Sequence, residues 1–220
     1  MAIILNIDTA LDSAIVCVSE NGKILRSAVN KNQKDHASWL HKAIQQIMAE
    51  SGKTLTNIDA VAVSIGPGSY TGLRVGLSAA KGFCFALNKP LISIGTLEIM
   101  ANAVEKNIAD YVCPVIDARR MEIFMALYDK YLQEIVPPSA LIVETNSFMT
   151  ILNKGTVLFS GNAINKLRSA IVHPNAIFNN YPVEALHIAQ LSARYYEANK
   201  FDNLAYTEPL YIKEFYSPLR

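Results

Sequence analysis

Apolar positions in the first 35 residues form three short runs, and the last two are joined by Asn21-Gly22. That dipeptide is typical of tight β-hairpin turns. From Ala37 to Ser51 the apolar residues recur at intervals of three and four, with Asp35 as predicted N-cap and Gly52 as predicted stop. The pattern predicts an antiparallel meander followed by an amphipathic helix.

The chain then continues as strands alternating with helices. Residues 58–65, "IDAVAVSI", are almost continuously apolar, as expected of a buried strand. A helix is predicted over about Thr71–Leu87, followed by a strand "PLISI" and a helix "TLEIMANAVEK". This alternation predicts an α/β fold.

Two stretches resemble each other, "IDTALDSAIVCV" at residues 7–18 and "IDARRMEIFMAL" at residues 116–127. In both, an apolar strand ends in Ile-Asp, a short polar turn follows, and a second strand begins. The repeat predicts two duplicated lobes with mixed five-stranded sheets flanked by helices, the plan of the actin-like ATPase (ASKHA) fold. We place the N-terminal lobe at residues 1–105. The C-terminal lobe is placed at 106–220, completed by a helix over about 183–199 and an extended tail, "AYTEPLYIKEF".

Composition narrows the classes of function. About half of the 220 residues are apolar, enough for a large core. The formal net charge is +1, whereas a protein that grips nucleic acid by itself normally shows a basic stripe. Apolar runs stay shorter than the roughly 18 to 20 residues that span a bilayer, and the three widely spaced cysteines fit reduced core thiols. We expect a cytoplasmic protein that does not associate with membranes.

Asp8 and Asp117 end the two repeated strands, where actin-like enzymes would hold a hydrated magnesium ion. The alternative is that each only initiates a turn. Thr9 and Ala10 follow Asp8, where the phosphate hairpin of this fold usually continues with a glycine that lets an oxyanion approach. We therefore expect at most a weak, vestigial nucleotide site of Asp8, Thr9 and Asp117, with no catalytic residue.

No metal site is expected either. His36 and His41 are five residues apart, so on a helix their side chains diverge by roughly 140°. A pair of ligands on one helix face needs a separation of three or four.

The stretch "GPGSYTGLRVG", residues 66–76, resembles a phosphate-binding loop at a helix start. It lacks the Lys-Ser or Lys-Thr pair of a P-loop, and we favour a tight strand-to-helix turn. The helix that follows carries only Arg74 and Lys81 as charges, so it must be covered on more than one side. Gly72, Gly76 and Ala80 lie four apart and predict a ridge for close backbone approach. Either a partner or the second lobe covers this helix.

Five segments together carry a family resemblance: "LNIDTA", "HASWLHKAI", "GPGSYTGLRVGLSAAKGF", "PVIDARRMEIF" and "EPLYIKEF". In this order and spacing, the chain resembles the TsaB (YeaZ) family over nearly its whole length. The resemblance implies a non-catalytic scaffold or activating subunit of the bacterial machinery that makes threonylcarbamoyladenosine next to the anticodon of tRNAs reading ANN codons. The implied partners are the TsaD paralogue and the TsaE ATPase, with tRNA engaged only through the complex. A resting homodimer, and ATP or ADP at the subunit interface, stay open.

The resemblance also bears on particular residues. Thr96 and Met100 stand where TsaD-like paralogues carry a His-x-x-x-His metal pair, and a hydroxyl and a thioether cannot replace two imidazoles. The family's dimer surface is formed by the helices that match residues 37–51 and 71–87. We expect the partner interface to consist of Leu40, Ala43, Ile44, Ile47, Leu73, Gly76, Leu77 and Ala80.

Two other functions stay open from the residues alone. Asp8, Thr9 and Asp117 would also suit a stand-alone actin-like ATPase or small-molecule kinase. A direct tRNA-binding module is disfavoured by the near-neutral charge.

Overall fold

The computed structural model describes residues 1–32, 35–105 and 107–213 of the chain. They form two compact units: Met1–Ile99 with Val183–Pro209, and residues 100–182 with residues 210–213. Each unit contains one five-stranded sheet. None of the helices in these described ranges is long and apolar enough to cross a membrane.

The first unit is a mixed sheet with helices on both faces. Its strands are β1 (Ile3–Asp8), β2 (Ala14–Glu20), β3 (Lys23–Asn30), β4 (Ala60–Gly66) and β5 (Leu91–Gly95), in the spatial order β3-β2-β1-β4-β5. Its helices are α1 (His36–Ser51), a 3-10 turn (Leu55–Asn57), α2 (Tyr70–Leu87) and, later in the chain, α6 (Ala185–Glu197). The short helix α3 (Thr96–Asn102) runs across the point where the chain passes from the first unit to the second.

Strand β1 shows why both faces of this sheet need a cover. All six of its residues are buried, and successive side chains point to opposite faces. Leu5 and Ile7 belong to the core shared with α1 and α2. Ile4 belongs to the core shared with α6. A strand that is buried on both faces lies in the middle of a three-layer arrangement.

Helix α6 corrects the predicted lobe boundaries. We assigned the C-terminal helix to the lobe at residues 106–220, but α6 packs on β1, β2, β3 and β5 of the first sheet. It buries Ile188, Ala189 and Leu191 in the same core as Ile4. The physical reason is that α1 and α2 cover only one face of the first sheet, so the chain returns after residue 182 to cover the other.

The second unit repeats the plan of the first. Its strands are β6 (Tyr111–Asp117), β7 (Glu122–Asp129), β8 (Glu134–Ile142), β9 (Val157–Ser160) and β10 (Ala176–Phe178), in the order β10-β9-β6-β7-β8, with helices α4 (Met149–Leu152) and α5 (Ile164–Ala170). Phe159 anchors the core, with ring centroids 4.9 Å from Phe148 and 5.3 Å from Phe178.

Both sheets share one topology, which confirms the predicted duplication. In each, three consecutive strands form an antiparallel meander, and two later strands add in parallel beside the first of them. The edge strand β8 carries Pro137 and Pro138, which cannot donate backbone hydrogen bonds and so discourage further strand pairing.

Local predictions agree with the structure to within a few residues at the first two helices. Asp35 and Gly52 flank α1 as predicted, and Gly52 adopts the left-handed conformation of a C-cap at φ +68°. Helix α3 ends at Asn102, earlier than the predicted "TLEIMANAVEK", whose last residue, Lys106, lies outside the described residues. Residues 205–213 of the predicted extended tail carry no helix or strand, and Glu214 and Phe215 lie outside the described residues.

Candidate functional site

Asp8, at the end of β1, is enclosed by its own unit. Its Oδ1 accepts hydrogen bonds from the Ser64 hydroxyl at 2.6 Å and from the Ala10 N–H at 3.0 Å. The residue is 1% exposed. Burial raises the pKa of the carboxyl above its usual value, against the opposing effects of the two hydrogen bonds and of nearby His36.

Thr9 is in close contact with two glycines of α2, Gly72 and Gly76. The Thr9 hydroxyl donates to the Gly72 carbonyl at 2.6 Å. A Cβ added at Gly72 would lie 2.0 Å from the Thr9 carbonyl oxygen, and one at Gly76 would lie 2.4 Å from Thr9 Oγ1. These two glycines therefore serve the close approach of α2 to the end of β1, which is a contact within the chain.

The start of α2 is also closed off by the chain itself. The Ser69 side chain caps the helix by accepting from the Gly72 N–H at 3.2 Å. The Ser69 N–H donates to the Ala10 carbonyl at 2.7 Å. The favoured interpretation of the glycine loop, a strand-to-helix turn, agrees with this geometry.

Asp8 and Thr9 do not fit a hydrated magnesium ion or a phosphate. A magnesium ion keeps several of its waters, but both residues are buried, Asp8 Oδ1 already accepts from Ser64 and Ala10, and the Thr9 hydroxyl donates to the Gly72 carbonyl. The weak, vestigial nucleotide site of Asp8, Thr9 and Asp117 stays a prediction, which this geometry disfavours for Asp8 and Thr9.

Asp117, in the second unit, ends β6 at the surface and bonds to a lysine. Its Oδ1 accepts from Lys166 Nζ and from the Arg119 N–H, both at 2.6 Å. Partial desolvation raises the pKa of this carboxyl, but the bonds to Lys166 and Arg119 outweigh it and hold the pKa below its usual value. The carboxylate is an ion-pair partner within its own unit.

The partner interface of eight residues stays a prediction, and the structure shows that all eight are buried within the first unit. They are Leu40, Ala43, Ile44, Ile47, Leu73, Gly76, Leu77 and Ala80. The most apolar stripe of each helix packs on the helix's own sheet. Apolar periodicity identifies the side of a helix that needs a cover, and here the cover is β2 and β3 for α1 and mainly β4 for α2.

The opposite sides of α1 and α2 face solvent, and we call them the α1/α2 outer face. Most of its exposed residues are small or polar. They include Ala37, Ser38, His41, Gln45 and Ala49 on α1, and Thr71, Ser78, Gly82, Phe85 and Ala86 on α2. The charged Lys42, Glu50 and Arg74 are exposed on the same two helices. Phe85 is 82% exposed, and the His41 ring lies 5.9 Å from the ring of Phe83 between the two helices.

Gly82 on this face differs from the inner glycines. A Cβ added there would meet nothing within 4 Å among the described residues, so the packing that the structure describes does not require a glycine. Sequence reasoning missed it, although a signal existed. Gly82 lies two residues after Ala80, about 200° around the helix and away from the inner ridge.

Thr96 and Met100 are both buried, and the Thr96 hydroxyl has no hydrogen-bond partner among the described residues. No three His, Cys, Asp or Glu side chains within the described ranges converge to hold a metal ion. The three cysteines are buried and unpaired, and burial raises the pKa of the Cys17 thiol to about 12 and that of Cys84 to about 11. Such thiols are unreactive near neutral pH.

The family model described as TsaD, tRNA N6-adenosine threonylcarbamoyltransferase, matches residues 23–206. The chain is also similar to the tRNA threonylcarbamoyladenosine biosynthesis protein TsaB of Escherichia coli, at 36% identity over 128 residues, 58% of this chain and 55% of that protein. With TsaB of Bacillus subtilis the identity is 26% over 161 residues, 72% of this chain and 70% of that protein. The match spans about half the length of the relatives from E. coli and Haemophilus influenzae.

Solved structures share the fold. YeaZ from Pseudomonas aeruginosa superposes with a TM-score of 0.83 at 22% identity, covering 96% of this chain and 100% of that one. ROK hexokinase from Thermus thermophilus superposes with a TM-score of 0.50 at 9% identity, covering 90% of this chain and 99% of that one. These likenesses confirm the predicted actin-like fold.

Proposed function

Because the chain belongs to the TsaD family of tRNA N6-adenosine threonylcarbamoyltransferases, and within it to the TsaB (YeaZ) group, we propose that it serves the biosynthesis of threonylcarbamoyladenosine in tRNA. Its role is that of a non-catalytic subunit that binds a TsaD paralogue and, with the TsaE ATPase, supports modification of the adenosine next to the anticodon in tRNAs reading ANN codons.

Gly82 is the observation that carries the docking proposal. A glycine inside a helix costs about 1 kcal/mol relative to alanine, and no contact among the described residues requires one at Gly82. A missing side chain on an outer face lets the backbone of another helix approach closely. We therefore propose that the α1/α2 outer face is where the partner binds.

Phe85 supports the same surface. At 82% exposed it lies one turn after Gly82, so the two residues share one side of α2. Buried aromatic anchors beside small residues are typical of tightly packed interface centres. Two helices from each partner would give a four-helix contact, in which helix axes pack 8–10 Å apart.

Two features support a role without chemistry of its own. Asp8 and Thr9 are engaged inside the first unit, which disfavours the stand-alone ATPase or kinase. Thr96 and Met100 do not supply imidazole ligands at the positions that the family resemblance compares with the metal pair of TsaD-like proteins. ATP or ADP at the interface with the partner remains a prediction, tested by equilibrium dialysis of nucleotide against the chain alone and mixed with the TsaD paralogue.

Sedimentation velocity tests the docking proposal. The chain is run alone, then mixed with its cognate TsaD paralogue, and then with TsaE added. We expect a complex of the chain and TsaD, and the run without partner also reports whether the chain pairs with itself. If the wild-type chain forms no complex with TsaD at micromolar concentration, the proposal is overturned.

Two variants locate the surface. Gly82→Gln places a long side chain where nothing in the chain obstructs it, and Phe85→Ala removes the exposed ring, so both should fold normally and bind TsaD at least tenfold more weakly. Leu186→Ala is the matched control, because Leu186 is 41% exposed on α6, away from the α1/α2 outer face. Equal TsaD affinity in all three variants would place the interface elsewhere.

A further inference from the structure

The tip of the β6–β7 hairpin contains two adjacent arginines in an unfavourable backbone conformation. Arg119 has φ +70° and Arg120 has φ +50°, and both are exposed. This left-handed region is normally occupied at hairpin turns by glycine, asparagine or aspartate. Strained positions that persist in a protein are a reason to look for function.

Neighbouring side chains hold the base of the hairpin. Lys166 Nζ donates both to Asp117 Oδ1 at 2.6 Å and to the Glu122 carbonyl at 3.2 Å, so it bridges the two strands. The Asp117 N–H donates to Asn162 Oδ1 at 2.8 Å. The base of the turn is therefore held from α5 and from the segment before it.

The acids near the tip are already paired. Asp117 pairs with Lys166, and Glu122 pairs with Lys213. In the part of the chain that the structure describes, neither arginine side chain makes an ion pair with a carboxylate. Two guanidinium groups thus project into solvent from a fixed turn whose negative charges are already balanced.

The local charge differs from that of the whole chain. Four cations, Arg119, Arg120, Lys166 and Lys213, stand against two anions, Asp117 and Glu122, so the hairpin tip carries a formal charge of +2 on a chain of +1. A local charge of +2 is too small to bind RNA without a partner. Phosphate contacts, however, mainly fix the position and register of a nucleic acid. Guanidinium groups suit this task because their planar donors match phosphate oxygens in pairs.

Resting on the proposed role in tRNA modification, we propose that Arg119 and Arg120 bind phosphates of the RNA backbone while the RNA is held by the complex of this chain with the TsaD paralogue. The pair positions the substrate and leaves the modification chemistry to the partner.

The test uses a variant that keeps the turn. Arg119→Asn/Arg120→Gly removes both charges and places residues that tolerate positive φ, so its melting temperature should equal or exceed that of the wild type. The matched control, Lys130→Gln/Lys154→Gln, removes two exposed cations elsewhere in the same unit. Arg119→Lys/Arg120→Lys keeps the charges.

Labelled substrate tRNA is titrated with the complex by fluorescence anisotropy between 50 and 200 mM salt. The logarithm of the binding constant falls as the logarithm of the salt concentration rises, and each lost phosphate contact makes this slope less steep by about 0.7 to 0.9. The slope of the Asn/Gly variant should therefore be less steep by about 1.5. This variant should also bind several-fold more weakly at low salt. The control and the Lys/Lys variant should keep the wild-type slope. An unchanged slope in the Asn/Gly variant, or an equal loss in the control, would overturn the proposal.

Two further arms separate this proposal from the proposed function. Sedimentation with TsaD reports the docking step directly, and the Asn/Gly variant should bind TsaD like the wild type. If the wild type itself does not bind TsaD, the proposed function fails. If it binds TsaD but the Asn/Gly variant of the complex keeps the wild-type slope, only the phosphate proposal fails. Loss of ATP binding in the Asn/Gly variant, with tRNA binding intact, would instead assign the hairpin to a nucleotide.

Discussion

The hydroxyl of Thr9 donates a hydrogen bond to the carbonyl oxygen of Gly72 over 2.6 Å, fixing the first turn of α2 against the end of β1. In an actin-like fold the turn after the first strand is where a phosphate would approach. Here Thr9 is 0% exposed, and the start of α2 fills that space. The same glycines that suggested a phosphate loop are the reason that the helix can come so close.

Gly76→Ala should destabilise the chain. The new methyl would lie 2.4 Å from Thr9 Oγ1, and overpacking of this kind typically costs about 1–3 kcal/mol. Urea unfolding followed by circular dichroism measures the loss. Thr9→Ala removes the obstructing oxygen, so the double variant should lose less stability than the sum of the single variants. Strict additivity would contradict the contact.

Gly82→Ala, on the same helix, should stabilise the chain. Its Cβ would meet nothing within 4 Å, and alanine is favoured over glycine in helices by about 0.5–1 kcal/mol. We expect a higher urea midpoint for the isolated chain together with weaker binding to the TsaD paralogue. A variant that gains stability and keeps full affinity would remove the main support for the α1/α2 outer face as a docking surface.

Ile188→Ala tests the assignment of α6 to the first unit. Ile188 is 0% exposed and packs in one core with Ile4 and Ile92, so its truncation should cost about 2–5 kcal/mol. Leu186, on the same helix and 41% exposed, provides the control, and its change to alanine should be nearly neutral. A chain ending at residue 105 should also fail to fold, because it lacks α6. Stable folding of that fragment would restore the predicted boundary.

Sequence patterns predicted the elements and the duplication because these depend on local signals. Asn21-Gly22 is a clear example, since both residues have positive φ at the predicted turn. The return of α6 to the first sheet could not be predicted, because its apolar stripe is compatible with packing on either sheet. That choice depends on contacts between residues more than 150 positions apart, such as the Cys17 thiol with the Ala185 carbonyl.

The candidate site was predicted less well, for a related reason. Spacing identified Gly72 and Gly76 as points of close approach but could not say whether the approaching backbone belongs to this chain or to another. Gly82 looks the same in sequence and has the opposite surroundings. The arginine pair gave no signal at all, since arginine does not reveal a left-handed backbone.

Asp8→Asn separates a structural role from a nucleotide role. Burial raises the pKa of Asp8 in the folded chain, so between its unfolded and folded pKa values the folded state holds a proton that the unfolded state has released. The contribution of Asp8 to stability therefore falls as pH rises through that window and is constant above it. Asparagine does not titrate, and its Oδ1 can accept the same bonds from Ser64 and Ala10. We expect urea unfolding from pH 4 upward to show that the variant loses this decline and matches or exceeds the wild-type stability at pH 8.

The variant should also support tRNA modification by the TsaD paralogue at the wild-type rate, because the carboxyl lies inside the first unit. Loss of that support with stability intact would show that Asp8 acts on a ligand after all, and would reopen the strand end as a nucleotide site.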